Sequence, residues 1–155
     1  SLLDRLCDDE PKHKEESRDK RAISVQNLRA SVLRDLAWLL NTSNLGEILD
    51  EEAFPEIGRS VLNYGVPPFA GEFVLGSDVG VLEAIMRDAV AAYEPRILPG
   101  TLNVKLSVNA GQHNNNAMTF DIEGSLWAKP IPVRIFLRTE VDLEIGHIRV
   151  VNASG

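Results

Sequence analysis

Apolar residues recur three and four positions apart in two long segments of the chain, and this is the spacing of one face of an α-helix. The first segment follows Ser24 and continues to about Asn41, where an Asn-Thr-Ser-Asn loop ends it. The second follows Asp78, a favourable N-cap, and ends before Pro95. An apolar pair within residues 55–62 predicts a further short helix, closed by a glycine.

The apolar period changes from 3.6 residues to two in the last third of the chain. Four segments alternate apolar with polar side chains, at residues 101–108, 118–126, 131–137 and 148–150. Such alternation with short connections is typical of antiparallel strands that bury one face. Helices followed by strands predict an α+β fold, in which N-terminal helices pack on one face of a small C-terminal antiparallel or mixed sheet of about four strands.

Composition limits the class of protein. The 155 residues carry 16 Lys and Arg against 23 Asp and Glu, a net charge of −7 that argues against a nucleic-acid-binding surface. No apolar run approaches the ~20 residues of a membrane-spanning helix, and the single cysteine, Cys7, excludes an internal disulfide. We therefore expect a soluble, cytoplasmic chain with one folded domain.

Charge is concentrated at the amino terminus. Residues 1–22 carry 13 charged side chains, seven acidic and six basic, and too few apolar ones to form a core. Residues 8–22 are interpreted as a solvated tail. Before them, three leucines share one face of a short helix that would dock on the chain's own core or on a partner: Leu2, Leu3 and Leu6. The predicted organisation is an arm with a Leu-rich anchor, residues 1–22, followed by a single domain, residues 23–155.

No arrangement of residue types predicts catalysis or metal binding. The three histidines lie far apart in the sequence, and no glycine-rich phosphate loop is present. Glu94 with Asp121 or Glu123 could by type form the carboxylate pair of a glycosidase, but a chain with 23 acidic residues offers many such pairs. We therefore expect no enzymatic activity, no cofactor and no metal ion.

Three stretches carry side chains that a core alone does not require. Trp38 lies beside the apolar stripe of the first helix, where it would either widen the buried face or anchor a partner. Asn63 and Tyr64 follow at the end of the predicted short helix. In the third stretch the rigid Pro95 fixes the directions of its two charged neighbours, Glu94 and Arg96. The planar guanidinium of that arginine would either brace the domain through one of its own acids or bind a partner.

The order of these stretches resembles the baseplate wedge family of contractile injection systems. That family includes the small tail-lysozyme-like wedge protein of contractile phages and the TssE branch of type VI secretion. The similarity covers residues 1–6, 33–42 and 60–65, the Glu-Pro-Arg motif at 94–96, and residues 120–124. It therefore extends over nearly the full chain, which is identified as a member of the TssE branch.

The resemblance implies a non-catalytic part of the type VI secretion baseplate, cytoplasmic and assembled in a baseplate docked to the membrane. The implied partners are TssF, TssG and TssK, together with the sheath proteins TssB and TssC, whose polymerisation this protein helps to start. The residues expected to bind partners are Glu94, Pro95, Arg96, Leu2, Leu3, Leu6, Trp38, Asn63 and Tyr64. We expect no nucleic-acid partner and no direct insertion into the membrane.

The last hairpin, residues 133–151, offers a sheet edge that no later segment covers. Unpaired N–H and C=O groups at such an edge can accept a strand from another chain. We therefore expect strand exchange with the first sheath ring at the predicted edge-strand residues Ile135, Leu137, Ile148 and Val150.

Two other classes stay open. One is a regulatory binding protein, because a stress-response anti-adaptor shares this fold. The other is a peptidoglycan hydrolase, after the older lysozyme-like label of the phage relatives. The identity of the binding partners would decide between these classes.

Overall fold

The computed structural model describes residues 25–46, 48, 53–69, 78–107, 117–128 and 130–152. Two helices, α1 (Val25–Leu40) and α2 (Val79–Tyr93), precede the sheet. Its strands are β1 (Asn103–Ser107), β2 (Ala117–Leu126), β3 (Val133–Asp142) and β4 (Ile148–Asn152). The predicted α+β fold is confirmed. The predicted arm, residues 1–22 with Leu2, Leu3 and Leu6, lies outside the described residues.

The sheet is an antiparallel meander in the order β1-β2-β3-β4. β2 and β3 pair along their whole lengths, from Ala117 opposite Asp142 to Leu126 opposite Val133. Among the described strands, β1 and β4 therefore form the two edges of this sheet.

This order corrects one prediction about the last hairpin. Ile135 and Leu137 lie in β3, which is an inner strand because it pairs with β2 on one side and with β4 on the other. Leu137 pairs with Ile122 of β2 and with Asn152 of β4, so it does not lie at an edge, whereas Ile135 pairs with β2 alone, in the part of β3 that precedes its pairing with β4. Ile148 and Val150 lie in β4, the edge strand of that hairpin.

The core lies between the two helices and one face of the sheet. The apolar stripes of α1 and α2 converge with alternate residues of the strands in a single cluster of buried side chains that includes Leu36, Met86, Phe120 and Ile122. Burying these apolar faces is the main favourable term for folding. The predicted N-cap of α2 is confirmed, because the Asp78 carboxylate accepts a hydrogen bond from the Gly80 N–H at 2.8 Å.

The prediction of one short helix within residues 55–62 is wrong. Two separate 3₁₀ turns are present instead, Ile57–Arg59 and Val61–Asn63, with Ser60 extended between them. The hydroxyl of Ser60 caps the second turn by accepting from the Leu62 N–H at 3.2 Å. Val61 is 81% exposed, so the apolar spacing that suggested a helix does not correspond to a buried face.

A close approach at Gly65 joins these turns to the end of α1. Gly65 has a φ of +127°, and a Cβ there would lie 2.2 Å from the carbonyl oxygen of Thr42. The same carbonyl accepts from the Val66 N–H at 2.9 Å, and the Val66 carbonyl accepts from the Asn44 N–H at 3.1 Å. Only glycine combines this φ with this proximity, and the contact places the neighbouring Tyr64 beside α1.

Candidate functional site

The predicted Glu-Pro-Arg motif forms an ion pair within the chain. Glu94, the residue after α2, is 3% exposed. Its carboxylate accepts from the Arg96 Nε at 2.6 Å, from the Arg96 Nη2, and from the backbone N–H of Arg96 at 3.1 Å. Of the two alternatives for Arg96, the structure therefore contains the internal brace.

Helix α1 supplies the remaining partners of Arg96. The Nη2 atom donates to the Asp35 carboxylate at 2.6 Å, and the Nη1 atom donates to the Ser31 hydroxyl at 3.1 Å. The pKa of Arg96 is raised above its ordinary value, first by its hydrogen bond to Glu94 and further by Asp35, although burial acts in the opposite direction. The guanidinium therefore joins the end of α2 to the middle of α1.

The backbone around Arg96 is held against the end of β2. The Arg96 carbonyl accepts from the Trp127 N–H at 2.7 Å, and Ile97 forms an isolated antiparallel bridge with Leu126. Gly124 makes this approach possible, because a Cβ there would lie 2.9 Å from the Ile97 side chain. The guanidinium is thus positioned by the sheet as well as by both helices.

Trp38 continues the network on the surface of α1. The carboxylate of Asp35 also accepts from the Arg34 Nε at 3.0 Å and Nη2 at 2.8 Å. The Arg34 guanidinium lies over the Trp38 ring, 5.1 Å from its centroid, in a cation–π contact. Trp38 is 52% exposed, so it does not widen the buried face.

Tyr64 borders the same cluster. Its ring packs edge to face on Tyr93, with centroids 5.2 Å apart, and the Tyr93 hydroxyl donates to the Ser60 carbonyl at 2.9 Å. The pKa of Tyr64 is raised, first by burial and then by the negative charges of Asp35 and Glu94. The phenol therefore lies in the field of both carboxylates.

Asn63 lies beneath this surface and contributes to it indirectly. It is 9% exposed; its Oδ1 accepts from the Leu45 N–H at 2.9 Å, and its Nδ2 donates to the Gly58 carbonyl at 3.1 Å. Asn63 therefore holds two loop segments together.

Ser31 and Asp35 are members of the site that the sequence analysis did not assign as partners of Arg96. They lie four positions apart, which places them on one face of α1 beside its apolar stripe. The spacing was visible in the sequence, but the spacing does not show that Arg96, 61 residues after Asp35, is their partner.

The carboxylates considered for glycoside hydrolysis are separately engaged. Glu94 is paired with Arg96, and the Asp121 carboxylate accepts from the Arg138 Nε at 2.8 Å. Glu123 is exposed on β2. Among the residues that the structure describes, no group of three His, Cys, Asp or Glu side chains could hold a metal ion. Neither of the two described helices has the length and hydropathy of a membrane-spanning segment.

The architecture, two helices on a four-stranded antiparallel meander with a Glu-Pro-Arg motif between the second helix and the sheet, defines a small α+β domain. A family model described as baseplate wedge protein gp25 matches residues 26–131, more than half of the chain. The chain therefore belongs to the gp25 baseplate wedge family, and the resemblance found in the sequence is confirmed.

Among solved structures, the chain matches a Geobacter sulfurreducens protein whose assignment as a tail lysozyme is provisional. The two are 16% identical with a TM-score of 0.49, over 79% of this chain and 97% of the other. No curated protein matches the chain.

Proposed function

We propose that this protein is a structural, non-catalytic component of the type VI secretion baseplate, acting in the cytoplasm in a baseplate docked to the membrane. It joins the wedge with TssF, TssG and TssK and helps to start polymerisation of the TssB/TssC sheath. Membership of a baseplate wedge family supports the structural role. Clearing of a peptidoglycan suspension by the purified protein would contradict the non-catalytic part.

The observation that carries the proposal is the convergence of the three singled-out stretches. Arg96 donates to the Asp35 carboxylate, and Trp38 packs against Arg34, which donates to the same carboxylate. The negative charge of Asp35 also raises the pKa of Tyr64, in the second stretch. Pro95 is exposed beside them. A surface held by such internal bonds loses little conformational entropy when a partner binds it.

Within this surface, the residues that fix the geometry differ from the residues that would contact a partner. Glu94 is buried and Arg96 is bonded to three side chains of its own chain, so both fix the geometry. Trp38 and Pro95 present exposed apolar area to TssF and TssG. Large aromatic side chains are the commonest anchors of such interfaces.

The test is co-purification with TssF and TssG of the Trp38→Ala variant beside a matched variant, Val81→Ala. The two side chains are similarly exposed, at 52% and 50%, but Val81 lies in the first turn of α2, at the opposite end of that helix from Glu94. We expect Trp38→Ala to weaken recovery about tenfold, the effect of losing an anchor worth over 1 kcal/mol. Both variants should melt within about 2 °C of the wild type, as expected for surface substitutions. Equal recovery of the two variants would contradict this surface.

The sheath contact is assigned to the outer side of β4. The His147 carbonyl accepts from the Asp142 N–H at 2.9 Å, so these two residues form a hydrogen-bonded pair at the start of the ladder. In an antiparallel ladder such pairs alternate with pairs whose N–H and C=O groups point away. Ile148 and Val150 therefore direct these groups away from β3, whereas Val151 directs them toward it.

Proline substitutions separate strand addition from folding. Val150→Pro removes an N–H that faces away from β3, which an edge strand tolerates, whereas Val151→Pro removes one that pairs with β3. We expect Val150→Pro to keep its far-ultraviolet circular dichroism and melting curve while losing sheath assembly. Val151→Pro should lower the melting temperature. Normal sheath assembly by a folded Val150→Pro protein would contradict the proposed contact.

A further inference from the structure

A side chain occupies the outer edge of β4 where that strand begins. Asn41, the residue after α1, donates from Nδ2 to the Ile148 carbonyl at 2.7 Å and accepts at Oδ1 from the Ile148 N–H at 2.9 Å. Like a peptide group, the carboxamide of asparagine has a carbonyl oxygen that accepts hydrogen bonds and N–H groups that donate them. Asn41 therefore makes the pair of hydrogen bonds that a residue of a fifth strand would make at this position.

Side chains also bond to other outward positions of the sheet. On the outer side of β1, the Glu83 carboxylate accepts from the Leu106 N–H at 2.8 Å, and the next outward residue, Val104, is only 4% exposed. In the part of β3 that precedes its pairing with β4, the Arg134 carbonyl accepts a hydrogen bond from the Arg29 Nη2 at 3.0 Å. Such covering of edges is how native sheets prevent unwanted pairing.

Val150 is the next outward residue of β4 after Ile148. Among the described residues, no side chain hydrogen-bonds to its outward N–H and C=O in the way that Asn41 bonds to Ile148. Val150 is half-buried, and its neighbour Val151 is 36% exposed. Within the part of the chain that the structure describes, the outward pair of β4 at Ile148 is thus bonded by a side chain, and the pair at Val150 is not.

We propose that Asn41 is a register stop for strand addition. It holds the first outward pair of β4, so an extended strand from a partner chain pairs with the sheet from Val150 onward and not from Ile148. This inference rests on the proposed role of β4 as a strand acceptor and adds the residue that sets where pairing begins. The partner is recognised by its main-chain N–H and C=O groups in an extended segment.

Hydrogen exchange of the free full-length protein, followed residue by residue by NMR, tests the stop without any partner. In the wild type the Ile148 amide should be protected by Asn41, and the Val150 amide should exchange faster than its neighbours Arg149 and Val151, which pair with β3. In Asn41→Ala the Ile148 amide should exchange about fivefold to tenfold faster, the effect of losing one intramolecular hydrogen bond. The Arg149 and Val151 amides should be unchanged.

Thr42→Ala is the matched control. Asn41 also bonds to the Ala37 carbonyl at 2.7 Å, so its loss affects the end of α1 as well as β4. The Thr42 hydroxyl makes the equivalent bond to the Trp38 carbonyl, also at 2.7 Å, and makes none to β4. Thr42→Ala should therefore leave exchange at Ile148 as in the wild type.

Binding of the TssB/TssC sheath provides the second readout. It should protect the Val150 amide in the wild type, and in Asn41→Ala the newly protected stretch should extend back to Ile148. Unchanged exchange at Ile148 in free Asn41→Ala, or equal acceleration in Thr42→Ala, would overturn the register stop and leave the strand-acceptor role standing. Normal sheath assembly by Val150→Pro would overturn both.

Discussion

Replacing Arg96 with methionine tests whether the Glu-Pro-Arg motif braces the fold. The substitution keeps the length and apolar stem of the side chain and leaves the Glu94 carboxylate, 3% exposed, without its arginine. Breaking a fully buried ion pair costs about 3–5 kcal/mol, chiefly because one charge is left buried and unpaired. Since the side chains of Arg96 and Asp35 are each 21% exposed, water screens part of this cost. We expect a loss of about 2–3 kcal/mol in the free energy of unfolding, or about 5–10 °C in melting temperature for a chain of this size.

A double-mutant cycle shows which pair carries the loss. Glu94→Gln removes the buried charge, so the double variant Glu94→Gln with Arg96→Met leaves no unpaired ion at this position. The sum of the losses in unfolding free energy of the two single variants should therefore exceed the loss of the double variant by about 1–2 kcal/mol. Asp35→Asn should cost less, about 0.5–1 kcal/mol, because Asp35 is partly solvated and asparagine keeps one side-chain oxygen that can accept a hydrogen bond.

Urea denaturation followed by circular dichroism measures these differences as shifts in midpoint at constant slope. Arg138→Met is the control, because Arg138 makes a comparable pair with Asp121 on the sheet but is 39% exposed. Its loss should be clearly smaller than that of Arg96→Met. Equal losses in the two variants, or a loss below about 0.5 kcal/mol for Arg96→Met, would refute the brace. A binding defect of an Arg96 variant is therefore interpretable only beside its unfolding curve.

Two further predictions concern the edge of the site. The Tyr93→Phe variant keeps Tyr64 as its single tyrosine, so an absorbance titration reports the pKa of Tyr64 alone. We expect that pKa to lie above the ordinary value of about 10. Adding Asp35→Asn should lower it, because the substitution removes one of the negative charges that raise it. Because the pKa of Tyr64 is higher in the folded than in the unfolded protein, neutral Tyr64 contributes its full stability below pH ~10. This contribution is lost as the pH rises through the pKa of the folded state. Tyr64→Phe should therefore reduce the loss of stability at alkaline pH. A normal pKa for Tyr64 would contradict its placement. Gly65→Ala should cost about 2–4 kcal/mol in urea denaturation, because its φ is +127° and its Cβ would meet a backbone carbonyl at 2.2 Å, whereas Gly100→Ala, with open space around it, should change stability little.

The helices and strands were predictable because each buries one face, and burial imposes a period on the sequence. The stripe of α1 and the alternation in β2 are both direct results of this constraint. The segment at residues 57–63 has no such constraint. Val61 and Leu62 are apolar but exposed, so their spacing carries no information about local structure.

The partners within the site depend on how the helices dock, and a local pattern does not contain that information. Arg96 was recognisable as a residue that needs a carboxylate, and the sequence left open which one. Glu94 is its neighbour, but Asp35 reaches it only because α1 and α2 pack on the same sheet. The wrong assignment of Leu137 to an edge has the same origin, because the position of a strand in the sheet order is not visible in its own alternation.

Helix α1 connects the two proposed contacts. Its middle holds Arg96 through Asp35, and the first residue after its end holds Ile148 through Asn41. Trp38, the proposed anchor for the wedge, lies three residues before Asn41, less than one helical turn of ~5.4 Å away along the axis. A partner bound on Trp38 therefore sits beside the position where an added strand would start. On this geometry, incorporation into the wedge and the start of sheath pairing share one rigid element, and a change that shifts α1 should affect both.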